Sequence, residues 1–181
     1  SGEVLIDKRN AIHYENMSVA LAESVANQGQ GFINSMSFGN GGTSVDPTGI
    51  ITYLTPNSTG TNATLYNQTY TKIVDDRSVS NLDPQRNKIE TRHINGTNYT
   101  DVVVTCLLDY GEPNGQDAVD TASVSNSLYV FDELGLVSYS PSGTGKLLTH
   151  VIFHPVQKSL NRLIQIDYTV RVQSLTGFNE G

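Results

Sequence analysis

Tryptophan is absent from this sequence, cysteine occurs once and methionine twice. The lone Cys106 lies inside the apolar run VVVTCLL, so an internal disulfide framework is excluded and a buried strand thiol is expected. No stretch approaches the roughly 18 consecutive apolar residues of a membrane span, and the start SGEVLIDKRN lacks the apolar region of a signal peptide. A soluble chain folded in a cytoplasm, with no membrane partner, is the expectation. Basic residues are also scarce: 11 Lys and Arg are scattered against 18 Asp and Glu, for a net charge of -7. Affinity for phosphates comes from clustered cations, so nucleic acid is not expected as a partner. Charged residues make up only 16% of the chain while Asn, Thr, Ser and Gly are plentiful. That balance favours turns and strands over long solvent-facing helices.

What is present reads as a mainly β chain, a β-sandwich-like single domain over residues 1–181 with one short N-terminal α-helix and an extended N-terminal arm. At 181 residues one core suffices, burying roughly two thirds of the unfolded surface. Residues 1–13 read as the arm or an edge strand, and 174–181 as a tail. Over residues 16–27 the spacing of Met17, Ala20, Leu21, Ser24 and Val25 predicts the helix, with Asn16 as its N-cap. The sheet core spans residues 32–173. Its clearest strand alternates Ile164, Ile166, Tyr168, Val170 and Val172 with Gln165, Asp167, Thr169, Arg171 and Gln173, so the even-numbered face should be core. Residues 147–156 precede it, and the two together read as a hairpin closing a sheet. The run DVVVTCLLDY from Asp101 predicts a central strand covered on both faces. Asn95-Gly96 signals a hairpin turn before it. Residues 111–127 break the pattern for long enough to suggest a partner-binding loop.

Residues that could carry chemistry have simpler readings. SGTGKLL lacks the first glycine and the hydroxyl of a phosphate-binding loop, so Gly143 and Gly145 are expected as hairpin residues with positive φ. The loop GNGGTSVDPTG has no following helix and reads as an exposed turn into a strand over 50–55. His150 and His154, four apart on a strand, would lie about 13 Å apart on one face, too far to share a metal. His13 and His93 have no neighbouring ligand set. The acidic pairs Asp75-Asp76 and Asp132-Glu133 are adjacent on the chain, so each pair should point to opposite faces and serve as solvated charge or interface contacts. The DPT and NGQD loops lack the spacing of an EF-hand, and no G-x-S-x-G occurs. Asn16, Asn57, Asn62, Asn67, Asn95 and Asn98 begin Asn-x-Ser/Thr triplets, read as a by-product of composition. No catalytic residue, metal or cofactor is therefore expected. The expected interface residues are Val4, Leu5, Ile6, Asn114, Asp117, Asp120, Asp132 and Glu133. On this reading Ile166→Asp should abolish folding, and His150→Ala should leave assembly nearly intact.

Taken in order, ENMSVALAESVANQGQG, INSMSFGNGGTSVDPTG, the central apolar strand and VFDELGLVSYSPSGTGKLLTHVIF resemble the N-terminal tail-collar or fibre-attachment module of tailed-bacteriophage virion proteins. In that family an E-x-G-L-type core is followed by a hairpin, and FDELGL at 131–136 matches it. The resemblance implies a non-enzymatic virion component that binds other virion proteins in symmetric copies, made in the host cytoplasm and located in the particle. With no fibre shaft before Gly181, it implies an adaptor in the tail, collar or baseplate. A head decoration or cement protein is the alternative. From a different class, a carbohydrate-binding β-sandwich could use Tyr66, Tyr70, Tyr99 and Tyr110 as sugar platforms.

Overall fold

The computed structural model describes residues 11–113, 128–143 and 145–175. Of the expected interface residues, Val4, Leu5, Ile6, Asn114, Asp117 and Asp120 lie outside them, as does most of the loop 111–127. The elements run β1 Ala11–Ile12, α1 Tyr14–Val25, β2 Ile33–Gly39, β3 Thr43–Val45, β4 Ile51–Tyr53, β5 Gln68–Ile73, β6 Lys88–His93, β7 Tyr99–Leu108, β8 Leu128–Ser138, β9 Thr149–Ser159 and β10 Ile164–Gln173. The fold is mainly β, with one helix and three antiparallel sheets in a sandwich-like arrangement, as the composition predicts.

One sheet has the order β1-β9-β8-β2-β5, a second β10-β7-β6, and β3 with β4 forms a small hairpin of its own. The core fills the space between the two larger sheets. Met36, Phe38, Tyr129, Phe131, Leu134, Leu136, Val151 and Phe153 come from the first, and Val104, Cys106, Leu108, Ile164, Tyr168 and Val170 from the second. The even-numbered face of β10 is the core face, with Ile166 half-buried and Val172 left 40% exposed at the strand's end. Cys106 is the expected buried thiol, and burial pushes its pKa up to about 12, so it stays protonated.

Three expectations change. β9 and β10 do not form a hairpin: β9 pairs with β8 across the turn at 139–148, while β10 crosses to the other sheet and pairs with β7 from Ile164↔Leu108 to Gln173↔Tyr99. Alternation fixes which side chains share a face, and the pairings Ile166↔Cys106 and Tyr168↔Val104 join the apolar faces of two long strands. β7 is central in its sheet, yet only its even-numbered side enters the core. Val103 and Thr105 line an open polar groove with Lys88, Glu90 and Asp167. The helix starts two residues before Asn16, and its N-cap is His13, whose Nδ1 accepts the Asn16 N–H at 3.1 Å. Asn16 is instead buried, donating from Nδ2 to the Leu147 carbonyl at 2.9 Å.

The turn between β8 and β9 needs its two described glycines for different reasons. Gly143 has φ +83, the left-handed region. Gly145 does not, but a Cβ there would sit 1.8 Å from the Ser138 carbonyl oxygen. Gly145→Ala must therefore move backbone and should lower stability by about 1–3 kcal/mol, measured as a lower urea midpoint at unchanged slope.

Candidate functional site

The core face of β8 changes parity in mid-strand. Tyr129 and Phe131 are core, and so are Leu134 and Leu136. Between them the register against β9 shifts, so Asp132 and Glu133 both leave the core face. They are not solvated charge on opposite faces. Both are buried, at 3% and 0% exposure, and both reach the loop that follows β2. Asp132 accepts from Gly42 N–H at 2.8 Å, Thr43 N–H at 3.0 Å and Thr43 Oγ1 at 2.6 Å. Glu133 accepts from Gly41 N–H at 3.0 Å, Tyr66 N–H at 2.9 Å, Asn67 N–H at 2.8 Å and His150 Nε2 at 2.8 Å. Burying a carboxylate is costly unless its lone pairs are filled, and here they are.

The Gly-rich loop is thus an anion cradle whose anion is the protein's own carboxylate pair. It is not the exposed turn that its composition suggests, because its N–H groups already have acceptors inside the fold. Glycine is needed for the approach: a Cβ on Gly39 would lie 2.3 Å from the Asn67 carbonyl and 2.6 Å from Glu133 Oε2.

His150 closes the cluster. Its ring is wholly buried, Nδ1 accepts the Asn57 N–H at 2.8 Å, and Nε2 therefore carries the proton donated to Glu133. The same arrangement recurs at His13, which accepts at Nδ1 and donates from Nε2 to the Gly60 carbonyl at 2.7 Å. His150 and His154 do not share an environment, since His154 is exposed beyond the register shift. With two hydrogen bonds inside the fold, His150→Ala should cost about 1–3 kcal/mol rather than pass unnoticed, read as a lowered midpoint in urea. For Glu133, burial alone would push the carboxyl up. The hydrogen bonds from His150, Asn67, Tyr66 and Gly41 more than offset it and hold the group below the ordinary glutamate range.

Three separate chain segments, at 41–43, 57 and 66–67, are thereby tied to one sheet. What they carry outward is the β3–β4 hairpin. Its turn is closed by Asp46, whose Oδ1 accepts from Thr48 N–H, Thr48 Oγ1 and Ile50 N–H. Val45 and Ile50 at its tip are 62% and 63% exposed, and Tyr53 and Leu54 are 46% and 40% exposed. An apolar projection on a polar, fully bonded root can dock a partner but offers no group to transfer. Among the described residues no three His, Cys, Asp or Glu side chains gather as a metal site, and no helix is long and apolar enough to cross a membrane.

The four tyrosines considered as sugar platforms do not converge. Tyr70 packs on Phe38 and Tyr129, the Tyr99 ring is covered by Arg171 at 3.9 Å, and Tyr66 stands beside His150. Asp75 and Asp76 each bond backbone, Arg77 N–H and Ile89 N–H respectively. Sequence reasoning missed the two buried histidines and the inward turn of Asp132-Glu133. For the acids a signal was present, since apolar residues at 129 and 131 followed by 134 and 136 leave two consecutive positions off the core face. No family model matches this chain, and no curated protein or solved structure matches it either.

Proposed function

We propose that this chain is a non-enzymatic structural component of a tailed-phage particle, an adaptor in the tail, collar or baseplate that binds other virion proteins and further copies of itself. The observation that supports docking over chemistry is the β3–β4 hairpin, apolar at its tip and fixed at its root by Asp132 and Glu133. Rigid display removes ordering cost from association, which is what an adaptor gains from holding a loop with buried charge. The choice of particle rests on the sequence resemblance carried by FDELGL and the segments around it. Neither nucleic acid nor membrane belongs to this reading, and the site of action is the virion. A head decoration protein would use the same features.

Antibody labelling of purified particles tests it. Label on the tail, collar or baseplate supports the adaptor, label on the head shell selects decoration, and particles free of the protein overturn both. One observation favours a second class. The outer face of β6, β7 and β10 forms an open groove of about 370 Å³ lined by Lys88, Glu90, Arg92, Gln165 and Asp167, a polar surface that a glycan could occupy. Specific, saturable binding on a glycan array, lost in Asp167→Ala, would promote that reading.

A further inference from the structure

The loop between β5 and β6 is folded inside out. Its polar residues point inward: Asn81 donates from Nδ2 to the carbonyls of Asp75 at 3.1 Å and Asn87 at 2.8 Å, and accepts the Asp83 N–H at 3.0 Å. Asn87, with no exposure at all, accepts the Leu107 N–H at 2.8 Å. Its aliphatic residues point outward. Val79 is 99% and Leu82 96% exposed, more than any other large apolar side chain among the described residues. Apolar residues scattered singly on a surface are ordinary. Two branched aliphatics held side by side on a hydrogen-bonded frame are different, because their ordering for docking is already done.

Beside this loop runs a groove of about 410 Å³ on the side of β2 that faces away from the core. Ser35, Ser37 and Thr71 form its floor, and Ala63, Leu65 and Leu147 contribute apolar wall. None of its described lining residues is charged, and neither is the loop's crown, residues 78–82, in a chain of net charge -7. Depletion of charge marks the centre of interfaces, and it lets two acidic copies meet without opposing like charges. Groove and crown adjoin. Asn34 lines the groove, and its carbonyl accepts the N–H groups of Val74 and Asp75 where the loop begins.

We propose that crown and groove are the two halves of a self-complementary interface: Val79 and Leu82 of one copy seat in the Ser35, Ser37 and Thr71 groove of a second copy, and the reverse, about a two-fold axis. Reciprocal exchange follows from adjacency, since neighbouring knob and groove can close a dimer. It also doubles the contact, toward the roughly 800 Å² per partner of a standard interface. The inference deepens the assembly reading and rests on it only for the premise that copies associate.

Sedimentation velocity on the full chain at micromolar concentration decides it. The wild-type chain should be a dimer. Val79→Asp/Leu82→Asp should be monomeric with unchanged thermal melting, and Ala63→Arg, which fills the groove, should be monomeric as well. Mixing the two variants should restore a heterodimer, because the intact crown of one still fits the intact groove of the other. A monomeric wild-type chain, or a dimer that both variants leave intact, overturns the proposal. Persistence of the dimer would still leave the adaptor reading standing through another surface. A crown-dependent dimer absent from particles would do the opposite, sinking the adaptor and keeping this interface.

Discussion

Replacing Glu133 by Gln is expected to cost about 3–5 kcal/mol of folding stability, the range for breaking a buried charged pair by removing one partner. The substitution keeps volume and shape, so the cost is electrostatic and directional. Oε1 accepts from Tyr66 N–H and His150 Nε2, while Oε2 accepts from Gly41 N–H and Asn67 N–H. Each oxygen takes two donors. Whichever way the new carboxamide is turned, its NH2 group meets two N–H groups and leaves them without an acceptor. Chemical denaturation measures the loss. Hydrogen exchange locates it: the amides of Gly41, Tyr66 and Asn67 should exchange faster, and those of Val104 and Cys106 should change only as far as global stability does.

The same residue sets an acid limit. Its folded-state pKa is lowered, so its contribution to stability is present above the ordinary glutamate value and is lost as pH falls through the lowered folded value. The wild-type chain should therefore lose stability on acidification below the ordinary glutamate range. Glu133→Gln should lack that part of the dependence, and the stability gap between the two proteins should narrow as pH falls. A gap constant with pH would mean that the carboxylate is not charged in the fold.

How much of this could be read from the residues depends on which interactions are local. Alternation over 164–173 identifies a strand and its core side because both follow from one chain's own geometry. Pairing is not local. Nothing in residues 147–173 says that β10 leaves β9 for β7, since the energy of that choice lies in Ile166 meeting Cys106 and Tyr168 meeting Val104. The Gly-rich loop was legible as a place where backbone donors gather, but its acceptor is ninety residues away at Gly42 N–H to Asp132 Oδ1. The parity change in FDELGL was there to be seen, and the rule that neighbours on a strand face opposite ways concealed it. His13 carries no signal as a cap, because histidine lies outside the residues usually preferred there. Exposure of Val79 and Leu82 is equally silent in sequence, where SVSNL reads as an ordinary turn.

Phe38→Ala is the second large effect, again about 3–5 kcal/mol, now from a lost aromatic side chain and the cavity it leaves. Phe38 has no exposure and sits among rings: Phe131 edge-on at 5.3 Å and Tyr70 tilted at 6.2 Å, with Phe131 in turn against Tyr129 at 5.4 Å and Phe153 at 5.6 Å. These rings come from β2, β5, β8 and β9, so collapse around the gap would require four strands to shift together. Phe38→Leu should recover much of the loss by filling space, which separates packing from ring-specific contacts. The next residue, Gly39, pairs with Glu133 on the same two strands, as Phe38 pairs with Leu134. Core and loop anchor are thus one residue apart on β2 but face opposite ways. If the anchored loop is a local unit resting on an independent core, the losses in Phe38→Ala and Glu133→Gln should add to within about 0.5 kcal/mol in the double variant. A combined loss well short of that sum would show that the hairpin and the ring cluster melt as one, so that any partner docking on Val45 and Ile50 would be felt in the core.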